Sequence, residues 1–409
     1  MSFPFALPML LDGSTGVSLY QRGMPQGVCV EQWAVQNPRV IQDLQREFFA
    51  AGSDAVYAPT FSANRAKLSH YGLEEQTASL NQTLAALSLE AAEGKLVGGD
   101  LSPTGLFIQP FGEASFDQIL EVYREQAQAL KKAGVHFLVC ETMMTLPELR
   151  AAVLACKETG LPTFATVTVD QKGNTLGGSS LLCCYAAARA LGADAFGLNC
   201  SFGAERMLPF LQELVRVSDL PVIAKPNAGM PSPQDPLRYS LSPEEMAQGV
   251  KGLLEAGVQI VGGCCGASPE YIAALRRLLD GFDFSCVQAE QDPDRSRLVA
   301  DGQSAFFLPE YPEFTDPIPC AADMTDSLLD AEDSGCDAAL IQIDSLEDAQ
   351  AFGENAYMLK MPAAFCSSNL QALERALLLY QGRGVLDSRG GLPREQLEGL
   401  ASRYGALIY

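Results

Sequence analysis

The chain has 409 residues and a formal net charge of −22, with 47% hydrophobic and 19% charged residues. That acidity excludes a nucleic-acid-binding surface as the default, because phosphate contact needs clustered Lys and Arg. The composition is that of a folded globule, and no apolar run approaches the ~20 residues of a membrane span.

The N-terminus lacks the basic segment and cleavage-type site of a secretory leader, so the expectation is a cytoplasmic protein. Eight short apolar runs then follow one another: 7–12, 54–60, 95–101, 135–142, 162–169, 195–200, 221–227 and 259–265. Each leads through a polar or Gly-containing turn into a segment of helical period. Their hydrophobicity is continuous rather than alternating, as in strands buried on both faces. Between them, Leu80, Leu84, Leu87 and Ala91 share one helical face, as do Phe116, Ile119, Tyr123, Ala127 and Leu130. Ser115 with Gln118 and Thr145 with Glu148 read as capping boxes. Ser242-Pro243 with Glu245 and Ser268-Pro269 read as helix starts, and Gly52, Gly134 and Gly257 as helix ends. Eight strand–helix units predict an α/β fold, a (β/α)8 TIM barrel over 1–286, with its chemistry at the C-terminal ends of the strands.

A polar, Pro-rich stretch, 287–316, reads as a linker. Alternation resumes over 317–409, with helices near 324–335, 346–354, 368–381 and 394–403 and strands at 337–344, 356–362, 382–388 and 405–409. Four or so strands cannot close a barrel, so this region is expected to be a smaller, incomplete α/β domain resembling half a barrel. Its open parallel edge is an association hazard that the barrel or a homodimer must shield.

The chain carries twelve cysteines, expected as thiols or metal ligands rather than disulfides. Cys200 closes the sixth run, and Cys264 and Cys265 close the eighth. In a barrel these strands lie two apart, so the three sulfurs can converge. Three thiolates suit Zn²⁺ and leave a fourth position for a substrate thiol, which the metal deprotonates at neutral pH. The plainer alternative is that they pack as small hydrophobes, as Cys183-Cys184 inside a helix is expected to do. On an ideal strand Cys264 and Cys265 point to opposite faces, so joint ligation needs the strand to end there. Gly262, Gly263 and Gly266 permit it.

LLDGSTG, DAVYAPTFSANRAKL, VCET, GLNCSFG, KPNAGMP and IVGGCCGASPEYI occur in that order. Together they closely resemble the zinc-dependent homocysteine S-methyltransferase family, which includes the N-terminal module of cobalamin-dependent methionine synthase. The resemblance covers about 1–285 and implies Cys200, Cys264 and Cys265 as zinc ligands. It implies that Asp12 and Glu141 hold the amino group of homocysteine. By the same resemblance Gly13 and Thr60 receive the substrate carboxylate through backbone groups, and Asn199 supports the site. The implied reaction is methyl transfer from an external donor to the homocysteine thiol, giving methionine. A separate methylcorrinoid protein, a sulfonium compound or betaine each fits as donor. Methylation of another thiol, or a non-catalytic docking role in a multi-protein methionine synthase, are the competing readings. Neither His70 nor His136 lies in the DxHxxG context of a corrinoid-binding module.

The tail more distantly resembles the middle of a pterin-binding barrel. Asp387-Ser388 stands where that pattern has Asn-Ser, and an acceptor-only Asp replaces an amide that both donates and accepts. Half a barrel cannot enclose a pterin. The region therefore reads as a truncated relic kept for packing or docking.

Overall fold

The computed structural model describes residues 3–287 and 290–409. Positions 288 and 289 of the expected linker lie outside the described residues. Eight parallel strands form a nearly closed barrel: β1 (Met9–Leu10), β2 (Ala55–Tyr57), β3 (Leu96–Leu101), β4 (Phe137–Met143), β5 (Thr163–Val167), β6 (Ala195–Cys200), β7 (Val222–Pro226) and β8 (Ile260–Val261). Each falls inside one of the eight apolar runs or within a residue of its end.

The ladder runs from β1 through β8, β7 and onward to β2, leaving the β1–β2 seam without regular pairing. Carboxylates close that seam. Leu10 N–H donates to Asp54 Oδ2 at 2.7 Å, and Tyr57 N–H donates to Asp12 Oδ2 at 2.8 Å. The barrel interior is packed by Met9, Leu11, Phe137, Val139, Phe164 and Ile223 among others. Phe3 stacks on Phe164 and Phe5 packs against Phe137, filling the N-terminal end of the barrel.

The helix signals act mostly as read. Ser115–Gln118 and Ser242–Glu245 are complete capping boxes. Thr145 accepts from the Glu148 N–H, but the Glu148 carboxylate turns to Thr104, so that box is half formed. Ser268 makes no side-chain cap. Gly52, Gly134 and Gly257 all take positive φ at helix ends.

Within 287–316 the chain forms a hairpin, β9 (Leu298–Ala300) and β10 (Ala305–Phe307). Asp301 Oδ1 accepts from the Gln303 and Ser304 N–H groups and shapes its turn. A five-stranded parallel sheet follows, in the order β11 (Ile318–Pro319), β12 (Ala339–Gln342), β13 (Ala363–Cys366), β14 (Val385–Leu386) and β15 (Leu407–Ile408). The strand expected at 356–362 is displaced: Ala356–Met358 is a 3-10 turn and the strand begins after Pro362. The preceding helix runs on to Asn355 and leaves no extended chain there.

The two sheet regions meet through charged and apolar contacts. Arg150, 1% exposed on the barrel helix Leu146–Lys157, donates to the Leu377 and Leu378 carbonyls. These carbonyls end the helix Leu370–Leu379. Arg375 pairs bidentately with Asp117 at 2.8–2.9 Å. No helix among the described residues is long and apolar enough to cross a membrane.

Candidate metal centre

β6 ends in Asn199-Cys200, and the backbone turns sharply there. Cys200 has φ 59° and Ser201 φ 27°, a region costly for residues with a Cβ. Ser201 is held by its hydroxyl, which meets Thr168 Oγ1 and accepts from the Val169 N–H, both at 2.9 Å. β8 stops at Val261, and the next residues leave the strand. Cys264 N–H donates to the Pro226 carbonyl, and Cys265 N–H donates to Asn227 Oδ1. A Cβ on Gly263 would lie 2.2 Å from the Ala267 side chain, so only glycine lets the loop fold back this tightly.

The consequence is convergence of three sulfurs. The Sγ atoms of Cys200, Cys264 and Cys265 all lie within 4.8 Å of one another, and Cys200 and Cys265 are 3.9 Å apart. A tetrahedral zinc with bonds of about 2.3 Å places its sulfurs about 3.8 Å apart, so the set fits such an ion. None of the three is fully buried, unlike Cys183 and Cys184 in their helix. Cys265 is drawn down to about 3, because it accepts from Cys200 and Cys264.

The carboxylates Asp12 and Glu141 are brought together by a residue that the sequence reading passed over. Lys225, on β7, places Nζ 2.9 Å from Glu141 Oε1 and 3.3 Å from Asp12 Oδ1. The same ammonium lies 3.8 Å from the centre of the Tyr57 ring. Burial works against the Lys225 charge, but Glu141, Tyr57 and Asp12 hold its pKa well above the ordinary value. Burial raises Asp12 to about 6 against the pull of Lys225, and raises Glu141 likewise. Asp100, at the end of β3, is a third buried carboxyl facing this group, and burial raises it strongly.

Glu141 sits where β4 slips its register on β5, between Cys140 and Met143. The next residue, Thr142, has φ 60°, which for a β-branched residue costs about 1–3 kcal/mol. Asn199 secures that bend. Its Oδ1 accepts from the Thr142 N–H at 3.0 Å, and its Nδ2 donates to Thr142 Oγ1 at 2.7 Å. The same Nδ2 lies 3.8 Å from Cys264 Sγ, linking the carboxylate strand to the sulfurs.

Gly13 and Thr60 behave differently. A Cβ on Gly13 would meet the Ala267 carbonyl at 2.1 Å, so glycine is required by the close approach of the cysteine loop. Thr60 is fully buried and turned inward. Its hydroxyl is bonded to the Asp100 backbone and its N–H donates to Ala58. Lys225 and Asp100 were findable: each is a lone charge inside an apolar strand run, and such a charge needs a partner.

Three comparisons bear on this site. Residues 9–279 match the homocysteine S-methyltransferase family. The methionine synthase of Mycobacterium tuberculosis is 32% identical over 311 residues, covering 71% of this chain and 26% of that protein. That of Mycobacterium leprae is 32% identical over 300 residues, covering 67% and 25%. The chain thus spans about a quarter of the length of these curated relatives. The homocysteine methyltransferase MmuM from Escherichia coli shares the fold in its metallated form, with a TM-score of 0.56, 24% identity, and 66% of this chain and 95% of that chain covered. Its apo form gives a TM-score of 0.54 at 25% identity. With two-thirds of its length matched, the chain belongs to the homocysteine S-methyltransferase family.

Proposed function

We propose that the chain transfers a methyl group from an external donor to the thiol of homocysteine, giving methionine, with Zn²⁺ held by Cys200, Cys264 and Cys265. The observation that carries this reading is the gathering of three cysteine sulfurs within 4.8 Å at the mouth of an acidic barrel. Membership of the family supports the substrate. The metallated form of MmuM supports a metal in this fold. A zinc ion in this position supplies a Lewis acid that keeps a substrate thiol ionised at neutral pH.

The chain's own residues do the positioning. Asn199 ties the Thr142 bend to Cys264, so the sulfur site and the Glu141 carboxylate keep a fixed spacing. The acidic mouth favours the end of the substrate that bears an ammonium. In the reaction the substrate sulfur forms a bond to the methyl carbon, and the donor keeps the electron pair of the bond that breaks. The thiol proton leaves to solvent. The effective concentration gained by holding the sulfur in line is the protein's main contribution.

The test is metal content and homocysteine methylation of wild type and Cys265→Ala, run across methylcorrinoid, sulfonium and betaine donors. The expected result is about one zinc per wild-type chain and methionine formation with one donor class, both lost in the variant. A Cys265→Ala protein that keeps its metal and full activity refutes the proposal.

A further inference from the structure

Between β7 and the helix Pro243–Glu255 the chain makes an excursion, 229–241, that folds back on the cysteine loop. It is a tied flap. Ser232 N–H donates to the Arg238 carbonyl at 2.7 Å, Ser240 N–H donates to the Met230 carbonyl at 3.0 Å, and Pro231 pairs antiparallel with Tyr239. At its base Leu241 N–H donates to the Ala228 carbonyl, and Ala228 N–H donates to the carbonyl of Cys265. Flap and cysteine loop therefore hold one another.

The tip of the flap is in solvent, with Met230 66% exposed. Tyr239 turns the other way and packs half-buried against the core. Its ring rests on Gly266, the residue after Cys265. A Cβ there would lie 2.2 Å from Cγ of the ring and 2.4 Å from Cδ2, so only glycine lets the ring come this close. The Tyr239 hydroxyl bonds to the Cys265 sulfur and lies in the field of Cys264 and Cys200. Against a thiolate the phenol is the donor.

Charge decides what this contact does. Three thiolates around a divalent ion leave the centre net negative, and a fourth sulfur from the substrate adds another negative charge. In a chain of net charge −22 that excess has to be spread over hydrogen-bond donors. Asn199 Nδ2, 3.8 Å from Cys264 Sγ, is one such donor. Resting on the homocysteine reading above, we infer that Tyr239 is a positioning residue of the metal centre: its hydroxyl donates to Cys265 and takes up part of the charge that the substrate sulfur brings, and its ring holds the cysteine loop in place. Its effect passes through Cys265, as outer partners of metal ligands act.

The experiment compares wild type with Tyr239→Phe, which keeps the ring and deletes the donor, and Tyr239→Leu, which deletes both. Each is read by zinc retention against a chelator, by the sulfur-to-metal charge-transfer absorption of the Co²⁺-substituted chain, and by calorimetric affinity of the zinc-loaded chain for homocysteine. Tyr239→Phe is expected to keep zinc stoichiometry and to move the cobalt band to longer wavelength, because an unbonded thiolate releases its electrons more easily. Its affinity for homocysteine is expected to fall about tenfold. Tyr239→Leu is expected to show the same changes and also to lose zinc faster to the chelator. A Tyr239→Phe protein that keeps either the wild-type cobalt band or the wild-type affinity overturns the inference and leaves the homocysteine reading standing. Zinc-loaded wild type that binds no homocysteine overturns both.

Discussion

Replacing Lys225 by Met removes a charge and keeps a side chain of similar length. Lys225 and Asp12 have side chains 2% exposed, and that of Glu141 is 11% exposed, so neither contact belongs with weak surface pairs. At 2.9 and 3.3 Å each contact is worth about 5–6 kcal/mol of gross Coulomb attraction at an effective dielectric constant near 20. The desolvation of Lys225 is recovered in the variant, and the two carboxylates are left without their cation. The expected net loss is about 3–5 kcal/mol. For a domain of this size that lowers the melting temperature by roughly 10 °C. The deficit also carries a pH signature. Asp12 already sits at about 6, above the ordinary 3.8, with Lys225 pulling it down, so losing Lys225 moves it higher. A carboxylate raised in the folded state contributes its stability below its unfolded value and loses it as pH rises through the folded one. The deficit of Lys225→Met should therefore be largest near pH 8 and shrink toward pH 5.5. Calorimetric melting of both proteins across that range measures it. A deficit below about 2 °C at pH 8, or one that grows on acidification, would refute the account of the mouth as a compensated charge cluster.

Three further perturbations test neighbouring parts. Arg150→Met leaves the Leu377 and Leu378 carbonyls without a donor, costing about 2–4 kcal/mol; hydrogen exchange should rise in the helix Leu370–Leu379, and unchanged protection there would count against the contact. Gly13→Ala forces a Cβ against the Ala267 carbonyl and should cost about 1–3 kcal/mol while weakening zinc retention against a chelator; a variant that holds zinc as wild type does contradicts the packing argument. Asn199→Ala frees the Thr142 bend and should raise KM for homocysteine about tenfold at unchanged zinc stoichiometry; steady-state kinetics with metal analysis separates this from loss of the ion.

The barrel was readable because strands buried on both faces leave an unmistakable trace, continuous apolar runs of four to eight residues. The cysteines were readable because glycines crowd around Cys264 and Cys265 at a strand end. The charge cluster was not, and the reason is separation: Lys225 is 84 residues from Glu141 and 213 from Asp12. Composition and spacing cannot pair residues that only barrel closure brings together. Thr60, expected to receive the substrate carboxylate through a backbone group, has its hydroxyl bonded to the Asp100 backbone, a contact that spacing alone does not reveal. The strand Ala363–Cys366 escaped because Ala-Ala-Phe-Cys has little β-propensity, whereas Tyr357, Met358 and Leu359 just before it form an apolar run in a 3-10 turn and its exit.

The hairpin inside the expected linker was also overlooked, although Asp301-Gly302 is a recognised hairpin signal. Its packing shows how one face of the small sheet is covered. Leu298 and Ala300 join the cluster that includes the barrel helices, while Val299 joins Leu340, Ala364 and Val385 on the five-stranded sheet. Alternate residues of one short strand thus face two different cores. Tyr380 donates its hydroxyl to the Ala300 carbonyl, and Arg383 donates to the Leu298 and Gly405 carbonyls, fastening the strand to the sheet. One face of the sheet is therefore covered from within the chain. Its edge strands, Ile318–Pro319 and Leu407–Ile408, are two residues each, too short to template pairing with another chain. The small sheet is seated on the barrel through Arg150 and Arg375. The apolar face formed by Leu340, Ala364 and Val385 is thus packed by a strand from the segment just before the sheet.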